Sequence, residues 1–353
     1  MTKIIGIMSG TSTDGLDLAY CDIRIKGDGS FEYEIIQSRE MTYSDRWKER
    51  LRGAFYLSGV ALKSLDVKYA QFIAECVQTC IREGDWRPDW IASHGHTVFH
   101  EPQKGISLQI GAGEIIADLT GIPTIYDFRI GDVQLGGQGA PLVPIGDELL
   151  FGSYTYCLNL GGFANISTRI DGLRVGYDIG PCNLLLNGFS RLLGKEYDAA
   201  GGIAREGRMI EPLLQTWNEL DHYDRQPPKS LGREWVEMNY FIEDHSSYLP
   251  ADLLRTAVEH IAMQIGRNTR GKGSMLITGG GAFNDFLIDR ISHYSSVNIT
   301  IPDEQLVNYK EALIFAFIGF LRVHEINNVL AEVTGAERDH CSGKIARPKD
   351  IHQ

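Results

Sequence analysis

The chain has 353 residues, a formal net charge of −12 and 43% hydrophobic residues, the make-up of a soluble globular protein with length for about two cores. The acidic balance argues against a broad nucleic-acid or anionic-membrane surface, while leaving room for a local basic site. No apolar stretch after Lys3 is long enough for a secretory signal, and the longest apolar run, 312–321, falls far short of the roughly 20 residues of a membrane span; six scattered cysteines make no disulfide framework and point to a reducing cytoplasm.

The N-terminus opens on an apolar run, Ile4, Ile5 and Ile7, which breaks into Ser9, Gly10, Thr11, Ser12, Thr13, Asp14 and Gly15. An alternating run follows, with Leu16, Leu18 and Tyr20 against Asp17, Ala19 and Cys21. That pattern predicts strand, polar turn, strand. Glycines let backbone approach an anion, and hydroxyls and amides donate to phosphate oxygens. Asp14 and Asp17 can hold Mg²⁺ directly or through water. No Lys follows a Gly-x4-Gly spacing, so this is not a Walker loop; a plain hairpin with a Ser/Gly turn is the structural alternative.

A third strand-like segment, 31–37, completes a meander after the turn Lys26-Gly27-Asp28-Gly29. Asp45 can cap a helix over 47–55, and a longer helix spans 62–82. A short strand at Trp90-Ile91-Ala92 opens into the turn Ser93-His94-Gly95-His96-Thr97, followed by a strand at 106–110, a helix at 113–120 and a strand at 124–128. The Gly- and Pro-rich stretch 136–144 is the best boundary candidate.

The second half repeats the opening. A strand at 156–160 leads into Gly161-Gly162-Phe163, then strands at 164–170 and 173–179 joined by Asp171-Gly172. Later come a helix over 251–268, a strand at 274–278 running into Gly279-Gly280-Gly281-Ala282-Phe283-Asn284, a helix to 291, and a last helix over 310–326. Two similar α/β halves, each opening on a glycine-bearing meander, suggest duplication with the site between halves.

This arrangement resembles the actin-like ATPase and sugar-kinase superfamily, an α/β fold of two ribonuclease-H-like domains with a central interdomain cleft. Within it the sequence resembles the anhydro-N-acetylmuramic acid kinase family. The shared motifs are Met-Ser-Gly-Thr-Ser-x-Asp-Gly at 8–15, Ser-His-Gly-x-Thr at 93–97, Asp-Phe-Arg at 127–129 and Gly-Gly-Gln-Gly-Ala-Pro-Leu-Val-Pro at 136–144. They continue with Asn-x-Gly-Gly-Phe at 159–163, Asp-x-Gly-Pro-x-Asn at 178–183, Pro-Lys-Ser-x-Gly-Arg-Glu at 228–234 and Gly-Gly-Gly-Ala-Phe-Asn at 279–284. Glu311 matches a further family acid.

The resemblance implies domains at 1–127 with about 327–353, and at 128–326. It implies an ATP-dependent kinase of cell-wall recycling that opens the 1,6-anhydro ring with water and phosphorylates O6. ATP and Mg²⁺ would be used, and the chain would be a homodimer. Asp178, at a strand end before Gly180-Pro181, would be the base for water, for which an ionised carboxylate in reach suffices; an Asp there also simply starts a turn. Glu311 would be catalytic or orient the sugar, although an acid at a helix start also complements the dipole. ATP would lie against Gly10, Thr11, Ser12, Thr13, Asp14, Gly15, Leu16 and Asp17, against Gly161 and Gly162, and along Gly279, Gly280, Gly281 and Asn284. Thr97 and Arg129 would meet the sugar, Arg129 as a bidentate fork on its lactyl carboxylate.

Two positions depart from the family: His96 stands where Gln is usual, and Cys182 where Gly is common. His96 keeps hydrogen-bonding capacity, so altered fine contacts are expected rather than lost chemistry. His94, His96 and His100 with Glu101 invite a zinc reading, but a structural site needs four ligands and no Cys lies near. Cys76 and Cys80, at helical spacing, read as core-facing thiols. The rivals are a kinase for another sugar or amino sugar, and a non-catalytic ATP-driven conformational protein on the same fold.

Overall fold

The opening hairpin forms as its pattern requires. In a computed structural model describing residues 1–10, 14–242 and 245–349, β1 (Thr2–Ser9) pairs antiparallel with β2 (Gly15–Ile25), and β2 with β3 (Phe31–Thr42). Ile4, Ile5 and Ile7 are fully buried, each contributing roughly 1.5–3 kcal/mol of transfer free energy. Contacts divide the chain into two units, Met1–Leu150 with Tyr309–Gln353, and Phe151–Asn308. The first unit thus includes 128–150 and 309–326, which the sequence reading groups with the second domain.

In the first unit, β4 (Trp90–Ser93) runs parallel to β1, and β7 (Thr124–Tyr126) parallel to β4. A separate hairpin, β5 (His96–Glu101) with β6 (Ile106–Ile110), lies between them in sequence. The expected turn at 93–97 is therefore shorter, since His96 and Thr97 already belong to β5. A helix over Glu304–Val323 covers the sheet. A Cβ on Gly6 would sit 1.9 Å from the Ala312 carbonyl oxygen, and one on Gly319 would sit 2.5 Å from the Ala92 Cβ. Only glycine permits that approach. It also runs the helix antiparallel to β1, which brings Lys310 and Glu311 toward the carboxyl end of the strand.

The second unit has β8 (Tyr156–Leu160), β9 (Phe163–Ile170) and β10 (Leu173–Pro181) as a meander, with β11 (Ser274–Thr278) parallel to β8 and β12 (Asn298–Thr300) parallel to β11. Its sheet order is β10-β9-β8-β11-β12, and that of the first unit is β3-β2-β1-β4-β7, extended by β13 (Lys344–Ala346). The same order, meander first and parallel strands after, occurs twice: this is the ribonuclease-H-like arrangement.

Several boundaries move. Ser44, not Asp45, caps the first helix, accepting from the Trp47 amide at 3.4 Å; its shorter hydroxyl reaches the N3 amide, while Asp45 occupies the first turn. The next helix runs Gly59–Gly84. The last begins at Glu304 instead of 310, because Asp303 Oδ1 accepts from the Leu306 amide at 2.8 Å and starts the helix earlier. Glu311 therefore lies two turns inside, where complementing the helix dipole does not explain it.

Candidate active site

In the first unit the acids gather at the carboxyl end of β1. Asp17 on β2 pairs across β1 with Met8 and across β3 with Glu40. Burial pushes its carboxyl up to about 7, helped by Glu40, Glu311 and Asp14. A Cβ on Gly15 would meet the flexible end of Glu40, Oε1 at 2.8 Å, and the Met41 carbonyl oxygen at 3.1 Å. Leu16 is fully buried, so only its backbone can face a ligand. Asp14 is exposed and holds the Tyr43 amide with its carbonyl at 3.0 Å. Gly10 follows β1 directly, whereas Thr11, Ser12 and Thr13 lie outside the described residues.

Arg129 stands on the same unit, half-buried. Its Nε and Nη2 donate to His94 Nε2 at 3.1 and 2.9 Å, and Nη1 donates to the Gly139 carbonyl at 2.7 Å. His94 Nε2 must then be bare, so Nδ1 carries the proton and donates to the Gly95 carbonyl at 2.9 Å. Burial, with Arg129 adding to it, holds the His94 pKa well below the ordinary histidine value, so the ring stays neutral. Burial brings the Arg129 guanidinium down to about 10, opposed by Glu311. Glu311 is itself raised, chiefly by burial; Lys310 and Arg129 act against the rise and Asp147 with it. Lys310 and Asp147 form a buried ion pair at 2.6 Å.

The motif around His96 closes a hydroxyl chain. His96 Nδ1 meets Ser9 Oγ at 3.1 Å, Ser9 Oγ meets Tyr43 Oη at 2.9 Å, and Tyr43 meets Tyr69 Oη at 2.5 Å. Burial takes His96 down to about 4. Thr97 Oγ1 accepts from Gln109 Nε2 at 3.4 Å. The histidines thus spend ring nitrogens on Arg129 and Ser9, and among the described residues no three His, Cys, Asp or Glu side chains form a metal-ligand group.

In the second unit, Thr278, Asn159, Asn165 and Asp178 stand opposite one another on four adjacent strands. Opposed residues share a sheet face, so they make one polar row, opposite the face carrying Leu158, Leu160 and Ile277. The row lies at the carboxyl ends of the parallel strands, where open α/β sheets take ligands. Asn165 Nδ2 donates to Asp178 Oδ1, and the Leu231 amide donates to Oδ2 at 2.8 Å. Burial raises the Asp178 carboxyl above its usual range, and those two donors act against the rise.

Two glycine turns adjoin the row. Gly279 has φ +83°, and a Cβ there would meet Asn159 Oδ1 at 2.4 Å. Beyond Gly161 a Cβ would find only ordinary contacts, Asn159 Nδ2 at 3.6 Å and Phe163 O at 3.7 Å; beyond Gly280 the nearest atom is 3.8 Å away. Gly161 and Gly162 accept from the amides of Asn183, Cys182 and Leu184. A Cβ on Gly281 would crowd the Leu160 Cβ at 2.7 Å. Asn284 Oδ1 accepts from the Leu287 amide at 3.0 Å and caps the Asp285–Tyr294 helix.

The sequence motifs mark Asp178 and Glu311 but not Asn165, Glu40 or the Arg129–His94 pair. The signal for Asn165 was present: a polar residue two positions after the Phe163 motif, interrupting apolar alternation in step with Asn159.

A family model described as anhydro-N-acetylmuramic acid kinase matches residues 2–348. The protein of that name from Gloeothece citriformis is 34% identical over 388 aligned residues, covering 98% of both chains. Those from Aliivibrio fischeri and Synechococcus elongatus are 33% and 35% identical, covering 98% and 97% of this chain and 99% of each of theirs. The chain belongs to the anhydro-N-acetylmuramic acid kinase family and is an ATP-dependent sugar kinase.

Proposed function

We propose that the chain uses ATP and water to convert anhydro-N-acetylmuramic acid to N-acetylmuramic acid 6-phosphate, with Asp178 as the base. Water attacks C1, the C1–O6 bond breaks, O6 takes the γ-phosphoryl group, and ADP leaves. The proton of the attacking water passes to Asp178. The observation that carries this reading is the Asp178 carboxylate, fixed through both oxygens by Asn165 and Leu231 yet keeping a lone pair on each for water.

In this reading Gly161, Gly162, Gly279, Gly280 and Gly281 offer backbone to the nucleotide, with Asn284 shaping the last turn as a cap. Gly10, Gly15, Leu16 and Asp17 offer theirs from the first unit, with Thr11, Ser12 and Thr13 adding hydroxyls. Thr97 and Arg129 meet the sugar, and Glu311 orients it. The Arg129 guanidinium, already aligned by His94 and Gly139, suits a carboxylate. Mg²⁺ would be held by Asp14 or Asp17, since that ion takes one or two carboxylates and fills its shell with water and phosphate oxygens; bound there, it neutralises phosphate charge. The crowding of acids around Asp17 fits a cation.

The test incubates the protein with Mg-ATP and the anhydro sugar in ¹⁸O-water. One label at the anomeric oxygen and sugar-dependent ADP release are expected. ADP release that ignores the sugar, or an unlabelled product, would overturn the reading.

A further inference from the structure

The family motif at 228–234 and the stretch before it have no assigned task, and the structure gives them one. β10 is the edge strand of its sheet, and its register slips between Asp178 and Gly180. A bulge there re-aims the neighbouring side chain and leaves backbone groups without sheet partners. Those groups are taken up from outside the sheet. The Asp178 amide donates to the Lys229 carbonyl at 3.0 Å, and His222 Nε2 donates to the Asp178 carbonyl at 3.1 Å. Lys229 Nζ donates in turn to the His222 carbonyl at 3.0 Å, and the Leu231 amide holds the Asp178 carboxylate.

His222 is 1% exposed. Because Nε2 must carry a proton to reach a carbonyl, a neutral ring leaves Nδ1 bare, and Nδ1 has no partner among the described residues. A buried bare nitrogen is a cost that a merely space-filling residue would avoid. The turn carrying His222 is rigidly seated. Its neighbour Tyr223 meets His260 Nε2 at 2.8 Å and Tyr240 Oη at 2.5 Å, and His260 Nδ1 donates to Asn218 Oδ1 at 2.8 Å.

The geometry points to a clamp: His222 is a positioning residue for Asp178, gripping its carbonyl while Lys229 and Leu231 grip its amide and carboxylate. This rests on the reading of Asp178 as base. The test compares full-length His222→Leu, His222→Gln, Lys229→Met and Asp178→Asn with the wild type, assaying anhydro-sugar-dependent ADP release and amide hydrogen exchange over 175–181. His222→Leu should lower kcat about tenfold with KM for the sugar within about twofold, and should speed exchange. His222→Gln, whose amide nitrogen can occupy the Nε2 position, should recover kcat to within about threefold. If His222→Leu does not fold, Lys229→Met carries the test, with a drop of about threefold expected. Wild-type kcat in the folded His222→Leu variant, or in Lys229→Met where only that variant folds, overturns the clamp, as does a glutamine variant no better than leucine. Asp178→Asn with full turnover sinks the base instead, and unchanged exchange in His222→Leu sinks the clamp alone.

Discussion

The two units repeat one strand order and use it for opposite electrostatic ends. At the carboxyl end of the first sheet, Glu40, Glu311 and Asp14 all act on Asp17, and Arg129 acts on Glu311. At the same end of the second sheet stand bare glycine turns, two asparagines and one acid, Asp178. The topology explains where a site lies in each unit and nothing about which site it is. In the proposed reading, charge that neutralises phosphate would come from the first copy, and close backbone approach and the water-activating carboxylate from the second.

The sharpest way to break this division is Asp178→Asn. An amide keeps the shape but cannot take a proton, so kcat should fall at least about 100-fold with the fold intact. Since burial raises the Asp178 pKa, wild-type kcat/KM should decline on the acid side at a pH above the ordinary carboxylate value, and that limb should vanish in the variant. Full activity in Asp178→Asn would return the chemistry to Glu311 and the first unit.

The glycine turns of the second unit separate by the room around them. Gly161→Ala meets nothing closer than 3.6 Å, so it should fold normally and raise KM for ATP about tenfold. Gly279→Ala forces a Cβ into Asn159 at a φ of +83°, and should cost about 1–3 kcal/mol in stability. Denaturant melts distinguish the two. Equal destabilisation would mean that both glycines serve the turn and neither the nucleotide.

What the sequence made legible follows local physics. The two meanders announced themselves through alternation and glycine turns, and the motif residues fell at strand ends because strand ends are where the pattern breaks. The long-range partners were hidden. Nothing local in Gly6 says that Ala312 presses on it, and nothing in His94 says that it receives Arg129. The strands β12 and β13 are three residues each, too short for periodicity to register. Asn165 left a local trace, a polar residue two positions after Phe163, but its pairing with Asn159 and Asp178 is a matter of strand register.

In the first unit, Asp17 offers a pH test. Its carboxyl keeps a proton up to about 7 when folded, whereas an unfolded Asp releases it near 3.9. The folded state therefore loses stability as pH rises from about 4 to about 7. Asp17→Asn removes that loss, so Tm should rise by a few degrees at pH 8 and should not rise at pH 4. The same variant should lose the added thermal stabilisation by Mg-ATP that the wild type gains between pH 6 and 8. A lower Tm at pH 8 would show Asp17 to be a structural acid.

The smallest effect is expected at His96, where this chain departs from its family. The ring is neutral above about pH 4 and serves as the last hydrogen-bonding group in the chain from Tyr69 through Tyr43 and Ser9. Glutamine offers both a donor and an acceptor to Ser9, so His96→Gln should hold kcat within about threefold and leave the pH profile above pH 5 unchanged. His96→Leu should cost about 1 kcal/mol, at the modest end because Ser9 keeps Tyr43 at 2.9 Å. A tenfold loss in the glutamine variant, or a shifted profile, would mean that the imidazole itself meets the sugar, and would move one specificity contact into the hairpin that follows β4.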